Sequence, residues 1–368
     1  MSQTLRAALI TEPTAWHRRS MIDALSNAEI GDVAVGDPTG GTFDEVKKGI
    51  GDKVKATYTD LGKLFQEFRP EVALVTMEPW RMPAPILQAL QSGAHVFHEK
   101  PGYVNIDDYR AIYRLARQRQ RQLGIAYVSR HYPIVQEARR IIADGLLGEL
   151  FAFQAWFVAD QERVQQRPAK RFEYDHAAGG WFFNREKAGG GHLTILGCHY
   201  LDLLRHLSGA NFRQVAAVCR NVGGEPVTVE DAACLTIQMD SGIVGNLNSG
   251  FYTSSAEYGS TRHNGIHFWG RDGWLKLNPG GDATREPLLW MSHRGVQSAA
   301  PLKSWVFDGA GASADLYRML ARDFFRACLG QGPAPVRPED GMWVNECIAA
   351  AYRASDTGQT QTVTIPAV

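Results

Sequence analysis

Between residue 5 and about residue 124 the chain alternates short apolar runs with amphipathic segments, and no other feature constrains its fold as strongly. Residues 5–10 are apolar apart from Arg6, and residues 32–36, 72–76, 94–97 and 123–128 repeat the pattern. Continuous apolar runs of this length are what strands buried on both faces require. The stretches between them, such as residues 60–68, carry apolar positions at helical spacing. Strand–helix alternation at this interval gives βαβ units and a doubly wound parallel sheet. Residues 1–124 are therefore expected to form a Rossmann-like, dinucleotide-binding domain.

From about residue 130 the pattern changes. Residues 133–147 read as a helix ending at Gly148, and residues 151–158, 215–219, 232–239, 243–251, 267–269 and 274–277 read as strands. Turn sequences such as Asp240-Ser241-Gly242 and Arg271-Asp272-Gly273 separate them. Late helices are expected over residues 317–329 and about 339–355, around a Gly/Pro-rich turn. Strands in succession after a βαβ region indicate a second, α+β domain, residues 125–368, with a large open, mostly antiparallel sheet. Two domains also suit a chain of 368 residues, which is long for one core.

Charge balance narrows the function. Lys plus Arg number 39, as do Asp plus Glu, so the basic surplus that nucleic acid or an anionic membrane demands is missing. No apolar run approaches membrane-spanning length. Five cysteines (198, 219, 234, 328 and 347) are scattered, odd in number and without C-x-x-C, which argues against a disulfide framework or zinc knuckle. The first six residues run into a strand without a signal-peptide layout, so the cytoplasm is the expected compartment.

The segment His98-Glu99-Lys100-Pro101 closes the fourth of the apolar runs. A lysine at the carboxyl end of a parallel strand points into the crevice where such sheets bind ligands. Taken alone, the pair Glu99-Lys100 reads equally well as a solvated ion pair. Gly93 to Pro101 resembles the G-x-H-V-x-x-E-K-P element of the glucose–fructose oxidoreductase/inositol dehydrogenase (Gfo/Idh/MocA) family. Gly189-Gly190-Gly191-His192-Leu193-Thr194-Ile195-Leu196-Gly197-Cys198-His199 with Asp202 is similar to that family's G-G-G-x-x-x-D-x-G-x-H-x-x-D signature. Gly145 to Leu150 and Asp340-Gly341 resemble two further landmarks, in the family's order.

The resemblance implies a Rossmann domain followed by an α/β domain whose open sheet forms a homodimer or homotetramer. It also implies hydride transfer between a nicotinamide cofactor and a sugar, cyclitol or related carbohydrate, with Lys100 and His199 as the matching residues. The chemistry agrees. Oxidising a secondary alcohol needs a base for the hydroxyl proton, and an imidazole with a pKa near ~6.5 suits that task. An ammonium beside it stabilises the developing alkoxide.

Two departures qualify the resemblance. The loop after the first strand, Thr11-Glu12-Pro13-Thr14-Ala15-Trp16-His17, has no glycine where G-x-G-x-x-G is expected. Pro13 offers no N–H, and Glu12 brings negative charge to the place of a diphosphate. The cofactor contacts expected nonetheless are Thr11, Glu12, Pro13, Trp16, His17, Asp37, Thr76, Glu78, Pro79, Glu99 and Lys100. Asp37 would favour NAD over NADP by repelling a 2′-phosphate, or serve as a turn residue in Asp37-Pro38-Thr39-Gly40. A chain that binds no dinucleotide also remains open. Ile195 is the second departure, standing where the family has an acid. His192, one helical stripe from His199, would supply the missing polar group as a third catalytic residue, or merely cap the helix.

Arg130, His131, Trp181, His192 and His199 are the expected substrate contacts. No metal is expected. A site from His192, His199, His131 and Asp175 or His176 is the sharper alternative, but seven-residue spacing sets two helical histidines about 10 Å apart. Two other functions compete: a carbohydrate lyase, hydrolase or isomerase using His192, His199 and Lys100, and a non-catalytic sugar-binding relative.

Overall fold

The computed structural model describes residues 4–160, 181–223, 227–253, 263–279, 286–295, 300–306 and 313–367. Six strands form the first sheet: β1 (Leu5–Ile10), β2 (Ile30–Gly36), β3 (Val54–Tyr58), β4 (Val72–Val75), β5 (His95–His98) and β6 (Leu123–Ile125). All pair in parallel, in the order β3-β2-β1-β4-β5-β6. Leu9, Ile10, Val33, Val35, Leu74 and Val75 are wholly shielded from water, as strands covered on both faces must be. The covering helices include α1 (Arg18–Ala24), α2 (Phe43–Ile50), α3 (Leu61–Lys63, continued by π-helical Leu64–Phe68), α4 (Pro83–Gln91) and α5 (Ile106–Gln118). Strand β3 lies outside the expected set because it is a half-buried edge strand whose polar residues interrupt the apolar run.

The strand order reverses between β1 and β4. That reversal is the topological switch point, the crevice at which doubly wound sheets take their ligands. The loops that follow β1 and β4 therefore form its two lips.

The second sheet has nine strands: β7 (Leu150–Asp160), β8 (Phe212–Arg220), β9 (Ala232–Met239), β10 (Val244–Thr253), β11 (His263–Gly270), β12 (Gly273–Leu277), β13 (Leu288–Ser292), β14 (Lys303–Trp305) and β15 (Gln361–Thr362). Their order is β14-β13-β12-β11-β7-β10-β9-β8-β15, and every pair is antiparallel except β7 with β10. Phe151, Val218 and Val244 stay 52, 60 and 49% exposed on strands of this sheet. The helices of this half are α6 (Pro133–Ala143), α7 (Arg185–Ala188), α8 (Cys198–Ser208), α9 (Ser313–Cys328) and α10 (Pro338–Thr357). Helix α6 stops short of the expected boundary, the chain leaving it at Asp144 and turning through Gly145 at φ 69°. Helix α9 packs on α1 and α10 on α5, so late elements return to close the first sheet. Among the described residues no helix is long and apolar enough to cross a membrane.

Candidate active site

Strand β5 delivers Glu99 and Lys100 into the crevice, and the Lys100–Pro101 bond is cis. Lys100 is 6% exposed, and its Nζ donates to the Ile195 carbonyl at 2.7 Å. Ile195 lies on the π-helical turn Leu193–Gly197 that leads into α8, one turn ahead of His199. The ammonium of the first half thus docks on the turn that presents the imidazole of the second. His199 is partly exposed, its ring edge-on to Tyr127 with centroids 6.0 Å apart. Lys100 Nζ also stands 5.8 Å from the centre of the Trp16 ring.

Glu99 is locked from two sides. Its Oε1 lies 3.2 Å from His17 Nδ1, and its Oε2 accepts the Tyr317 hydroxyl at 2.7 Å. Burial alone would raise its pKa, but His17, Lys100 and the Tyr317 hydroxyl outweigh it and hold the carboxyl at about 2. A carboxyl depressed in the fold stabilises it above the unfolded value and loses that contribution as pH falls toward the folded one. Wild-type stability is therefore expected to decline more steeply than that of Glu99→Gln between about pH 4.5 and about pH 2. Urea unfolding across that window is the check, and parallel curves would refute the assignment.

Residues remote in sequence anchor the histidine-bearing helix. Glu230 is buried, and its carboxylate accepts the N–H of Gly191 (2.8 Å), the N–H of Leu193 (3.0 Å) and the Tyr352 hydroxyl (3.0 Å). Thr194 and Tyr352 share a hydroxyl–hydroxyl bond of 2.8 Å. A Cβ on Gly191 would stand 1.8 Å from the Glu230 carbonyl oxygen, so only glycine lets the helix start approach this closely. Glu230, Tyr317 and Tyr352 escape sequence reasoning because each acts through long-range contacts and belongs to no local motif.

Several expected site residues are placed elsewhere. His192 is fully buried, its Nδ1 2.6 Å from Ser249 Oγ and its ring edge-on to Phe157 and Phe251. The π-turn breaks the helical stripe assumed for residues 192 to 206, so His192 faces the second sheet instead of joining His199. Arg130 is consumed by structure: its guanidinium grips Asp202 at 2.5 and 2.8 Å, and reaches Asp340 and the Pro335 carbonyl. His131 pairs with Asp323 at 3.0 Å. Asp37 is the turn residue, both its oxygens taken by the N–H and hydroxyl groups of Thr39 and Thr42 at 2.8–2.9 Å. Trp181 is 3% exposed in an aromatic cluster with Phe182, Phe183, Phe251 and Ile195, against which Trp16 packs. Within it Trp16 stacks on Phe182 at 4.4 Å. An acid in place of Ile195 would face these rings, which is the physical reason an apolar side chain suits that position. Among the described residues no three metal-ligating side chains gather round one point; Asp175 and His176 lie outside the described residues.

The lips of the crevice are tied together. Glu12, 1% exposed, accepts the Glu78 N–H at 2.7 Å and meets Arg81 at 2.5 Å. Burial pushes the Glu12 carboxyl up against the opposing pull of these two partners. Thr14 and the Trp80 indole N–H donate to the Glu78 carboxylate at 2.9 and 2.6 Å, and the Thr76 hydroxyl donates to the Trp16 carbonyl at 2.6 Å. Arg18 braces the loop from beneath, with Nη1 on the carbonyls of Glu12 and Pro13 and the rest of its fork on Glu45. Thr11 is wholly buried at the end of β1, and Pro79 opens the short turn that carries Arg81.

Comparison with known proteins decides the family. Residues 19–127 match the model of an oxidoreductase family with an NAD-binding Rossmann fold, and residues 135–276 match the Gfo/Idh/MocA C-terminal domain. The chain belongs to the Gfo/Idh/MocA oxidoreductase family. A 1,5-anhydro-D-fructose reductase of Ensifer adhaerens is 26% identical over 74% of each chain. A levoglucosan dehydrogenase of Pseudarthrobacter phenanthrenivorans is 24% identical over 44% of this chain and 45% of its own length. A solved structure of levoglucosan dehydrogenase in complex with NADH and L-sorbose shares the fold, with TM-score 0.82 and 18% identity over 99% of this chain and all of that one.

The family implies a nicotinamide dinucleotide, and the chain carries the family's NAD-binding Rossmann fold. On the side bearing Lys100, the ammonium has donors beyond the one it gives Ile195, whereas the Thr76 hydroxyl is already given to the Trp16 carbonyl. The β1–α1 loop departs from the usual diphosphate cradle, since glycines are missing and a buried carboxylate stands among the would-be donors.

Proposed function

We propose that this Gfo/Idh/MocA protein is an NAD-dependent oxidoreductase interconverting a secondary hydroxyl and a carbonyl on a sugar, cyclitol or related carbohydrate. The observation that carries the reading is the bond from Lys100 Nζ to the Ile195 carbonyl, which brings the ammonium to the turn that presents His199. An ammonium has three N–H donors, so two remain for a substrate oxygen. Lys100 fixes the reacting hydroxyl and stabilises the negative charge that grows on it. The His199 imidazole takes the hydroxyl proton and returns it in the reverse direction. A bound nicotinamide supplies the hydride acceptor. The partly exposed Trp16 ring, one face of which stacks on Phe182, offers an apolar surface suited to the C–H side of a sugar.

Asp37 favours NAD over NADP through its charge alone, because its oxygens are already occupied. We take residues 1–124 as the cofactor domain and 125–368 as the domain for substrate and assembly. Val218 and Val244 would then be covered in a cytoplasmic homodimer or homotetramer. The non-redox alternative needed His192 as an acid–base group, and the burial of that ring in an aromatic core speaks against it.

Thermal unfolding with NAD, NADP and neither is the test. Ligand at a hundred times its dissociation constant should add about 2.7 kcal/mol of stability, with NAD ahead of NADP. NADH formation with a panel of aldoses, anhydrosugars and inositols then narrows the substrate. A protein that neither shifts with a dinucleotide nor releases one on denaturation would end this reading.

A further inference from the structure

We propose that the Glu12 carboxylate is a built-in occupant of the diphosphate position, competing with the cofactor's own anion for the Glu78 N–H and the Arg81 guanidinium. The inference rests on the cofactor reading above and concerns how tightly that cofactor is held. In a doubly wound sheet the diphosphate crosses the switch point beside the first strand–helix turn. Glu12 sits in that turn, after β1, and both its partners follow β4 on the opposite lip. A backbone N–H at 2.7 Å and a guanidinium at 2.5 Å are the donors a phosphate oxygen would seek, and here a carboxylate has them. Of the two guanidiniums that contact residues 12 and 13, Arg18 is engaged by two carbonyls and by Glu45, while Arg81 meets the Glu12 carboxylate itself.

Part of the loop's own backbone is spent as well. Pro13 has no N–H, the Thr11 amide serves the Gly36 carbonyl, and the Ala15 amide serves the Glu12 carbonyl. For a diphosphate to enter in the family's position, the Glu12 side chain must leave its partners. Dinucleotide affinity in this chain is thus set by an internal anion, and removing that anion strengthens binding instead of weakening it.

Calorimetric titration of the whole protein with NAD, ADP and adenosine tests this. In Glu12→Gln, and in Glu12→Ser as an independent variant, NAD and ADP should bind about 10- to 10³-fold more tightly, the range of one like-charge contact from water-exposed to near a protein surface. Adenosine, which has no phosphate, should bind unchanged. Arg81→Ala should weaken ADP. Equal or weaker NAD and ADP binding in both Glu12 variants overturns the proposal, even where the wild type binds NAD well. A gain in the variants over a wild type that binds nothing supports it while removing the NAD-dependent reading. Should neither variant fold, amide NMR of the wild type decides. The Glu78 N–H resonance should move on addition of ADP, and an unmoved Glu78 in an ADP-bound protein overturns the proposal equally.

Discussion

Lys100→Met should lower kcat/KM by about 10²–10³, the usual cost of deleting one donor to a developing oxyanion. Methionine keeps the apolar stem in its buried channel and removes only the charge and the N–H donors. The Ile195 carbonyl loses its strongest donor and keeps the Cys198 thiol, a cost of at most about 1–3 kcal/mol that the fold should survive. His199→Ala removes the proton acceptor and should cost about 10²–10⁴ in rate. Because both groups serve one hydroxyl, the double variant should lose far less than the product of the two single losses. The measurement is initial-rate NADH formation on whichever carbohydrate proves to be turned over, with circular dichroism confirming the fold. Either single variant within about threefold of wild type would take that residue out of the mechanism.

Arg130→Ala should destabilise the folded chain by about 3–5 kcal/mol, the cost of leaving a buried carboxylate without its counter-ion. Asp202 is 0% exposed and accepts both arms of the guanidinium. Asp340, held well below the usual carboxylate range by Arg130 and Arg205 in spite of its burial, would lose one of its two main cationic partners. The cluster ties the turn after β6, helix α8 and the start of α10, so its loss loosens the seat of His199 as well. Replacing the pair together, Arg130→Met with Asp202→Leu, should recover much of the stability, since an apolar pair strands no charge between its two members. Denaturant unfolding of the single and double variants is the check, and a single variant as stable as wild type would contradict a structural role for this arginine.

These residues also show how far a sequence can be read. The parallel sheet was legible because strands buried on both faces need nearly continuous apolar runs, and β1, with Arg6 as its one exception, β4 and the segment before Lys100 supply them. Edge strand β3 was not, because among the described residues it pairs on one side only and polar residues cost little there. Lys100 stood out because its place after a parallel strand fixes where it points, whatever the rest of the chain does. Arg130 and His131 were drawn toward the substrate by their position at the domain junction, yet Asp202, Asp340 and Asp323 claim them in the fold.

Local order along the chain thus determined the alternating elements, the switch-point crevice and the lysine at its edge, since strand, turn and helix signals act over a few residues. Tertiary structure alone decided which polar side chains remain available for chemistry. His192 and Arg130 are spent on partners up to 210 residues away, while Glu12 closes across the crevice on Glu78 and Arg81. A buried polar group must be satisfied by whatever the fold brings beside it, and spacing in sequence carries no record of that neighbour.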